Sequence, residues 1–151
     1  MKFYIDTDLN QLVEAPGGYR RAVKGISVNR GDTPSFVVQF LSGGVVIDPD
    51  PTTLHFAAKT DGQYDQNPPL VLSGPFTKSG SGGTAAWTAS PSFASTAINT
   101  ALAVDGASNN DKPTLTAMGQ FTWVKGLVVD STEQFTVTIR NNVYRSTDTA
   151  P

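Results

Sequence analysis

The sequence predicts a mainly β protein, an immunoglobulin-like antiparallel β-sandwich with one short helix in a crossover. Of the 151 residues, 38% are hydrophobic and only 16% are charged. This balance is too apolar for a disordered chain and too poor in charge for a solvated helical bundle. Fourteen Gly and ten Pro supply turns between short alternating runs. The length suits a single domain, predicted over residues 1–145, followed by a loose C-terminal tail over residues 146–151.

Alternation of apolar and polar residues predicts five strands in the first third of the chain. The first two are separated by the polar residues 6–10 and should pair as an N-terminal hairpin. The clearest alternation places Phe36, Val38 and Phe40 on one face of the fourth strand. Gly43-Gly44 should then turn this strand back onto the fifth. The five predicted strands cover residues 2–5, 11–14, 22–29, 35–41 and 45–47.

Proline- and glycine-rich segments divide the rest of the chain. Residues 48–51, Asp-Pro-Asp-Pro, should form a loop because proline lacks a ladder donor and restricts the residue before it. Residues 79–83 are predicted to form a flexible glycine-rich tip, and residues 105–113 a second polar loop. The last two strands alternate cleanly and should be central in their sheet. The predicted strands of this part cover residues 53–60, 70–72, 114–125 and 134–140.

One helix is predicted over residues 90–103. Ser90 can cap its N-terminus, Pro91 fits the first helical position, and Gly106 suits its end. An apolar stripe at helical spacing supports this assignment. The stripe consists of Phe93, Ala94, Ala97, Ile98, Ala101 and Leu102.

Charge and cysteine content exclude several classes of partner and cofactor. The net charge is −2, from 11 basic and 13 acidic residues, and the basic residues form no stripe of the kind that phosphate-backbone binding needs. We therefore expect no nucleic-acid partner. No apolar run approaches the roughly 20 residues that span a bilayer, so no membrane is expected. The chain has no cysteine, which removes disulfides and sulfur-based zinc sites, and the first six residues lack the pattern of a secretory signal. We expect no cofactor.

A catalytic apparatus is not expected. His55 is the only histidine, and alternation sends it to the face of its strand opposite its neighbours, towards solvent. A Ser-His-Asp triad would have to use it, yet the sequence contains no Gly-x-Ser-x-Gly turn to present a nucleophile. We therefore predict that the protein is not an enzyme and has no catalytic residues.

Acidic residues in turns could hold a metal, but turn chemistry explains them more simply. Asp6-Thr7-Asp8-Leu9-Asn10 matches the opening of a calcium loop, and the match fails at the sixth and twelfth positions, which are Gln11 and Gly17. Asx turns account for the same residues. Two further pairs, Asp48 with Asp50 and Asp61 with Asp65, fit loops in the same way. No metal site is predicted.

Two short motifs are also explained by turns. Lys78 precedes the glycines of residues 79–83, whereas a phosphate loop needs Gly-Lys-Ser/Thr opening a helix. Arg30-Gly31-Asp32 spells the tripeptide that integrins recognise, but these residue types are equally typical of a turn between two strands. We interpret both segments as structural.

Aromatic side chains are the candidates for ligand binding. An aromatic face can stack on the apolar side of a sugar ring, and Trp87, Tyr64 and Tyr144 are the possible ligand-binding residues. Trp87 lies beside the glycine-rich tip and should be the better exposed tryptophan, although core packing is its simpler use. Trp123 should fill the core.

Several strand patterns of the chain resemble those of a known group of proteins. They are residues 30–40 (RGDTPSFVVQF), Asp48, residues 54–59 (LHFAAK), residues 121–123 (FTW) and residues 134–145 (QFTVTIRNNVYR). This combination resembles small tail, baseplate and fibre-associated structural proteins of bacteriophages that contain a β-sandwich module. The resemblance implies a virion structural protein with no active site to transfer. The predicted helix and the loop over residues 105–113 are larger than a minimal module needs.

The leading hypothesis is a non-enzymatic phage virion structural or adaptor protein, associated with a tail, baseplate, fibre or capsid. Made in the host bacterial cytoplasm, it would form a homo-oligomer and dock to other virion structural proteins through exposed strand edges and the N-terminal hairpin. The first alternative is a carbohydrate- or receptor-binding module that uses exposed aromatics on a host-surface glycan. The second is a hydrolase that uses His55 with a loop aspartate.

Overall fold

The chain forms two facing β-sheets and crosses between them several times, and the crossover before β10 carries a short α-helix. A computed structural model describes residues 1–102 and 112–141, and the predicted fold class, mainly β with one short helix, is confirmed. A 3-10 turn, Gly82–Thr84, lies before β9. The elements are β1 (Lys2–Asp6), β2 (Gln11–Val13), β3 (Gly25–Asn29), β4 (Phe36–Ser42), β5 (Val45–Ile47), β6 (Thr53–Thr60), β7 (Val71–Leu72), β8 (Thr77–Ser79), β9 (Ala86–Ala89), α1 (Thr96–Ala101), β10 (Thr114–Lys125), β11 (Val128–Ser131) and β12 (Phe135–Arg140).

The first sheet has the strand order β2-β1-β4-β9-β8, with β5 paired to β4. The predicted N-terminal hairpin is confirmed, because β1 and β2 pair antiparallel. The predicted pairing of β4 with β5 is confirmed as well. Gly43 and Gly44 both have positive φ, of 58° and 81°, which glycine adopts without the steric cost of a side chain. Local turn chemistry thus determines these two hairpins of the first sheet.

The second sheet has the order β3-β12-β10-β6-β7, with β11 paired to β10. Both β10 and β12 are interior strands, as predicted from their alternation. The twelve residues of β10 are long enough to pair with β6 on one side and with β12 followed by β11 on the other. β10 is therefore paired with three other strands of this sheet.

Both sheets are mixed, so the prediction of a purely antiparallel sandwich is wrong in this respect. β1 pairs parallel with β4, and β12 pairs parallel with β3. The cause is the path of the chain, which leaves the N-terminal hairpin and crosses to the second sheet as β3 before it returns as β4. Strands joined by a crossover can run parallel, whereas strands joined by a tight turn cannot.

Aromatic rings fill the space between the sheets. The Phe36, Phe56 and Phe121 side chains are fully buried, with ring centroids 5.1 Å apart for Phe36 and Phe56 and 5.2 Å apart for Phe56 and Phe121. Gly119 makes this packing possible. A Cβ at that position would lie 2.7 Å from Val137 Cγ2 and 3.0 Å from the Phe56 ring, so β10 accepts no side chain there.

The helix is shorter than predicted and begins later. Ser95 caps α1 by accepting a hydrogen bond from the Ile98 N–H at 3.2 Å. The preceding residues are kept out of the helix, because Phe93 exchanges two backbone hydrogen bonds, both 2.9 Å, with the turn at residues 31–32. The predicted start at Ser90 is therefore wrong, since tertiary hydrogen bonds prevail over the local capping signal.

Three strands were not predicted: β8, β9 and β11. β8 and β9 pair with each other and β9 also pairs with β4, so the glycine-rich segment belongs to the connection between the two strands of a hairpin in the first sheet. Most of the predicted loop over residues 105–113, and the predicted tail over residues 146–151, lie outside the described residues.

Candidate interaction site

The β10–β11 hairpin carries three consecutive exposed apolar residues. Gly126 and Leu127 form a two-residue turn between the paired residues Lys125 and Val128. Gly126 has a φ of 61°, and two-residue hairpin turns require a positive φ at this position. The Leu127 side chain is fully exposed at the tip, and Val128 and Val129 are 60% and 62% exposed. Single exposed apolar residues are common, whereas a continuous group is typical of an interaction surface.

A β-bulge separates β11 from β12 along the same side of β10. Thr122 of β10 pairs with Ser131 of β11, and Gly119 of β10 pairs with Phe135 of β12. The three residues 132–134 between the two strands therefore face only the two residues 120–121 of β10. β3 pairs with β12 and not with β11. Within the described part of the chain, the outer edge of β11 therefore has no neighbouring strand.

The hydrogen-bonding direction along β11 follows from its register. Thr132 directly after β11 donates its N–H to the Phe121 carbonyl at 2.9 Å, so even-numbered residues direct their backbone groups towards β10. Because antiparallel ladders alternate, the backbone N–H and C=O groups of Val129 and Ser131 point away from β10. They are available to a further strand.

A cavity of about 300 Å³ lies beside this hairpin. It is bounded by β10 and β11, by the β1–β2 turn and by the loop after β5. Lys125 and Asp130 belong to its polar lining, and neither forms an ion pair with another described residue. The lining residues are Thr7, Asn10, Ile47, Pro49, Trp123, Lys125, Val128 and Asp130.

Carboxylates fix the turns that frame this end of the sandwich. The buried Asp6 carboxylate accepts hydrogen bonds from Arg20 Nε at 2.7 Å and from the Asp8 N–H at 3.0 Å. Asp8 in turn accepts from the Gly43 N–H at 2.8 Å and from the Ser42 hydroxyl at 3.0 Å, and these bonds hold the pKa of Asp8 below its usual value of 3.8. The calcium-like sequence is thus an Asx turn, as the simpler interpretation predicts.

A second acidic pair is occupied by an internal cation. Lys78 Nζ lies 2.7 Å from Asp48 and 3.1 Å from Asp50, and it lies 5.7 Å from the centroid of the Trp87 ring. The hydrogen bond with Lys78 lowers the pKa of Asp48, and the bonds to Asp48 and Asp50 raise the pKa of Lys78. The arrangement links β8 to the loop after β5.

The aromatic residues predicted to bind a ligand do not share one open face. Trp87 is only 3% exposed and packs edge-on against Phe40 at 5.1 Å, so the expectation that it is the better exposed tryptophan is wrong, and its simpler use in core packing is confirmed. The pairing of β9 with β4 turns its ring into the core. Trp123 is buried, as predicted. Tyr64 is exposed in the loop before β7, and Tyr144 lies outside the described residues. Ligand binding by these residues stays a prediction.

The remaining candidate residues are engaged in the fold. His55 is half-buried rather than fully in solvent, with Nδ1 3.3 Å from the Ser73 carbonyl oxygen. Arg30 donates from Nε to the Asn141 amide oxygen at 2.8 Å, and Gly31 has a φ of 90°, consistent with a turn. No group of three or more His, Asp or Glu residues that could hold a metal occurs in the described ranges. The helical part of those ranges is also too short and polar to cross a membrane.

The sequence carried a signal for the interaction site that the strand prediction did not use. Gly126-Leu127 between Val124-Lys125 and Val128-Val129 is a two-residue turn flanked by β-branched residues, which is typical of a hairpin. The exposure of Val128 and Val129 could not be predicted from the sequence, because two adjacent apolar residues do not show the alternation of apolar and polar residues that distinguishes the buried face of a strand.

The fold and this surface define a mainly β sandwich domain with an apolar strand edge that residues 1–102 and 112–141 leave uncovered. No family model matches the chain, and no curated protein matches it. Among solved structures, the chain is similar to one described as the N-terminal domain of phage TP901-1 ORF48, at 11% identity and a TM-score of 0.43. The alignment covers 92% of this chain and 96% of that one. No residue role is transferred from it.

Proposed function

We propose that the protein is a non-enzymatic structural or adaptor component of a bacteriophage virion, acting by contact with neighbouring protein chains. The observation that carries this proposal is the run of exposed apolar residues from Leu127 to Val129, on a strand edge that no strand of the described residues covers. An edge of this kind readily pairs with another chain, and soluble proteins that do not use it usually protect it with charge, proline or a covering segment.

The contacts at the same end of the sandwich favour a rigid docking surface. Asp6 and Asp8 fix the β1–β2 turn to Arg20 and to the β4–β5 turn, so the frame around the hairpin is held by directed hydrogen bonds. Binding to a prearranged surface loses less conformational entropy than binding to a mobile loop. The partners we propose are other virion structural proteins and further copies of this chain, assembled after synthesis in the host bacterial cytoplasm.

Quantification of the protein in purified phage particles tests the proposal. Particles produced from the genome that encodes the chain are banded on a density gradient, and the protein is counted by mass spectrometry against a known capsid protein. Immunogold labelling then locates it on the tail, baseplate, fibre or capsid. We expect several copies per particle at a fixed position. A protein that is folded in the infected cell but absent from intact particles would contradict the proposal.

A further inference from the structure

We infer that the outer edge of β11 pairs antiparallel with β11 of a second copy of this chain. The β11-containing sheets of the two copies then form one continuous sheet. This inference rests on the proposed structural function and names one of its contacts. The occupant follows from two properties of the edge. Its outward-directed backbone groups are self-complementary, and the charges of Lys125 and Asp130, which form no ion pair within the described ranges, are complementary across a twofold axis.

β11 is better suited to this pairing than the other described edges. The outer side of β2 is occupied by a bridge between Val13 and Ala22. β8 exposes only polar residues, and β3 exposes Gly25 and Ser27. β7 is two residues long, and β5 contacts the 3-10 turn. β11 alone among them combines a four-residue edge with consecutive exposed valines.

The direction of the free backbone groups selects the register. Val129 directs its N–H and C=O outwards, so Val129 can face Val129 of the second copy and exchange two hydrogen bonds with it. Ser131 then faces Leu127 of the second copy, and the reverse contact follows from the twofold symmetry. On the outer face of the joined sheet, the Leu127 and Val129 side chains of both copies lie side by side, so each covers part of its neighbour's exposed apolar surface.

Charge supports the same register. In this arrangement Val128 lies between two charged residues. On one side it faces Lys125 of its own hairpin, and on the other side it faces Asp130 of the second copy. Lys125 and the second copy's Asp130 are then two strand spacings apart, roughly 10 Å between backbones, a gap that the flexible lysine stem largely spans. Shifting the register by two residues would place Asp130 directly against Asp130, which is unfavourable. The opposite shift would leave only Val128 opposite Val128 within β11, whereas the proposed register pairs residues 128–130 of both strands.

Sedimentation equilibrium of the full chain over a wide concentration range tests the pairing. We expect the wild-type mass to rise from 16.0 kDa towards twice that value. Val129→Lys places two ammonium groups opposite each other at the twofold axis and should weaken dimerisation at least about tenfold. Leu72→Lys is the matched control, since Leu72 is 63% exposed on another edge strand, and it should dimerise like the wild type. Urea unfolding of both variants verifies that each is folded.

A charge exchange distinguishes contact between copies from an effect within one chain. Lys125→Asp alone and Asp130→Lys alone should each weaken dimerisation, because each puts like charges across the interface twice. A mixture of these two variants restores opposite charges on both sides and should form a heterodimer at least about tenfold more readily than either variant forms a homodimer.

Three results would overturn the inference: a wild-type chain that stays at 16.0 kDa throughout, dimerisation unaffected by Val129→Lys, or a mixture no better than its components. None of these bears on whether the protein is found in phage particles. The pairing and the proposed function can therefore fail independently.

Discussion

The buried ion pair between Arg20 and Asp6 should control the stability of the end of the sandwich that carries the proposed docking surface. Asp6 is completely buried, the Arg20 side chain is 19% exposed, and the two groups are 2.7 Å apart. Arg20→Met leaves the Asp6 carboxylate buried without its cation, a change that costs about 3–5 kcal/mol in proteins. Because Arg20 still reaches solvent, we expect the lower end, about 3 kcal/mol. With a urea m-value of about 2 kcal/mol/M, the unfolding midpoint should fall by about 1.5 M.

Two further variants make this prediction specific. Arg21→Met is the matched control, since Arg21 is 74% exposed and lies 4.0 Å from Glu14, and it should cost at most about 1 kcal/mol. In the double variant Asp6→Asn with Arg20→Met, the amide oxygen still accepts the Asp8 N–H and no charge is left buried, so stability should recover by at least about 1 kcal/mol relative to Arg20→Met. An Arg20→Met midpoint within about 0.3 M of the wild type, or a double variant no more stable than the single one, would refute the reasoning.

Three other predictions follow from packing and charge. Gly119→Ala should lower the free energy of unfolding by about 1–3 kcal/mol, because the new Cβ would overlap the Val137 side chain. Gly18→Ala is the control and should change the free energy of unfolding little, since the space around Gly18 is open. Equal effects of the two variants in urea unfolding would contradict this prediction. Trp87→Ala should cost about 3–5 kcal/mol as a buried aromatic truncation, and a change below about 1 kcal/mol would mean that the ring is not part of the core. Asp48→Asn should lower the melting temperature at neutral pH. Because the pKa of Asp48 is lowered from 3.8, its pairing with Lys78 stabilises the fold above pH 3.8 and is lost as the pH falls through the lowered pKa. The difference in melting temperature between Asp48→Asn and the wild type should therefore shrink in acid, and a constant difference would contradict the assignment.

Much of the strand content was predictable because apolar alternation is a local signal. β4, β6, β10 and β12 alternate between buried and more exposed positions over most of their length, and their identity follows from period two alone. The two parallel pairings were not predictable in this way. They depend on where the chain crosses between sheets, which no local pattern records.

The candidate site was only partly predictable, for similar physical reasons. The sequence indicated docking through exposed edges, but not that the uncovered edge would be β11, because that depends on β3 ending beside β12 and on the bulge between β11 and β12. Trp87 shows the opposite case. Its neighbourhood of glycine and small residues suggested exposure, and the pairing of β9 with β4 buries it.

The central claim is that the chain acts as a virion component through the exposed edge of β11, and incorporation of variants into phage particles tests it most directly. Phage lacking the gene would be complemented with the wild type, Val129→Lys or Leu72→Lys, and the protein in purified particles would be quantified by mass spectrometry. We predict several copies of the wild type and of Leu72→Lys per particle and a marked loss of Val129→Lys, at equal amounts of folded protein in the cell. A wild-type protein absent from particles, or Val129→Lys incorporated as well as the wild type, would contradict the claim.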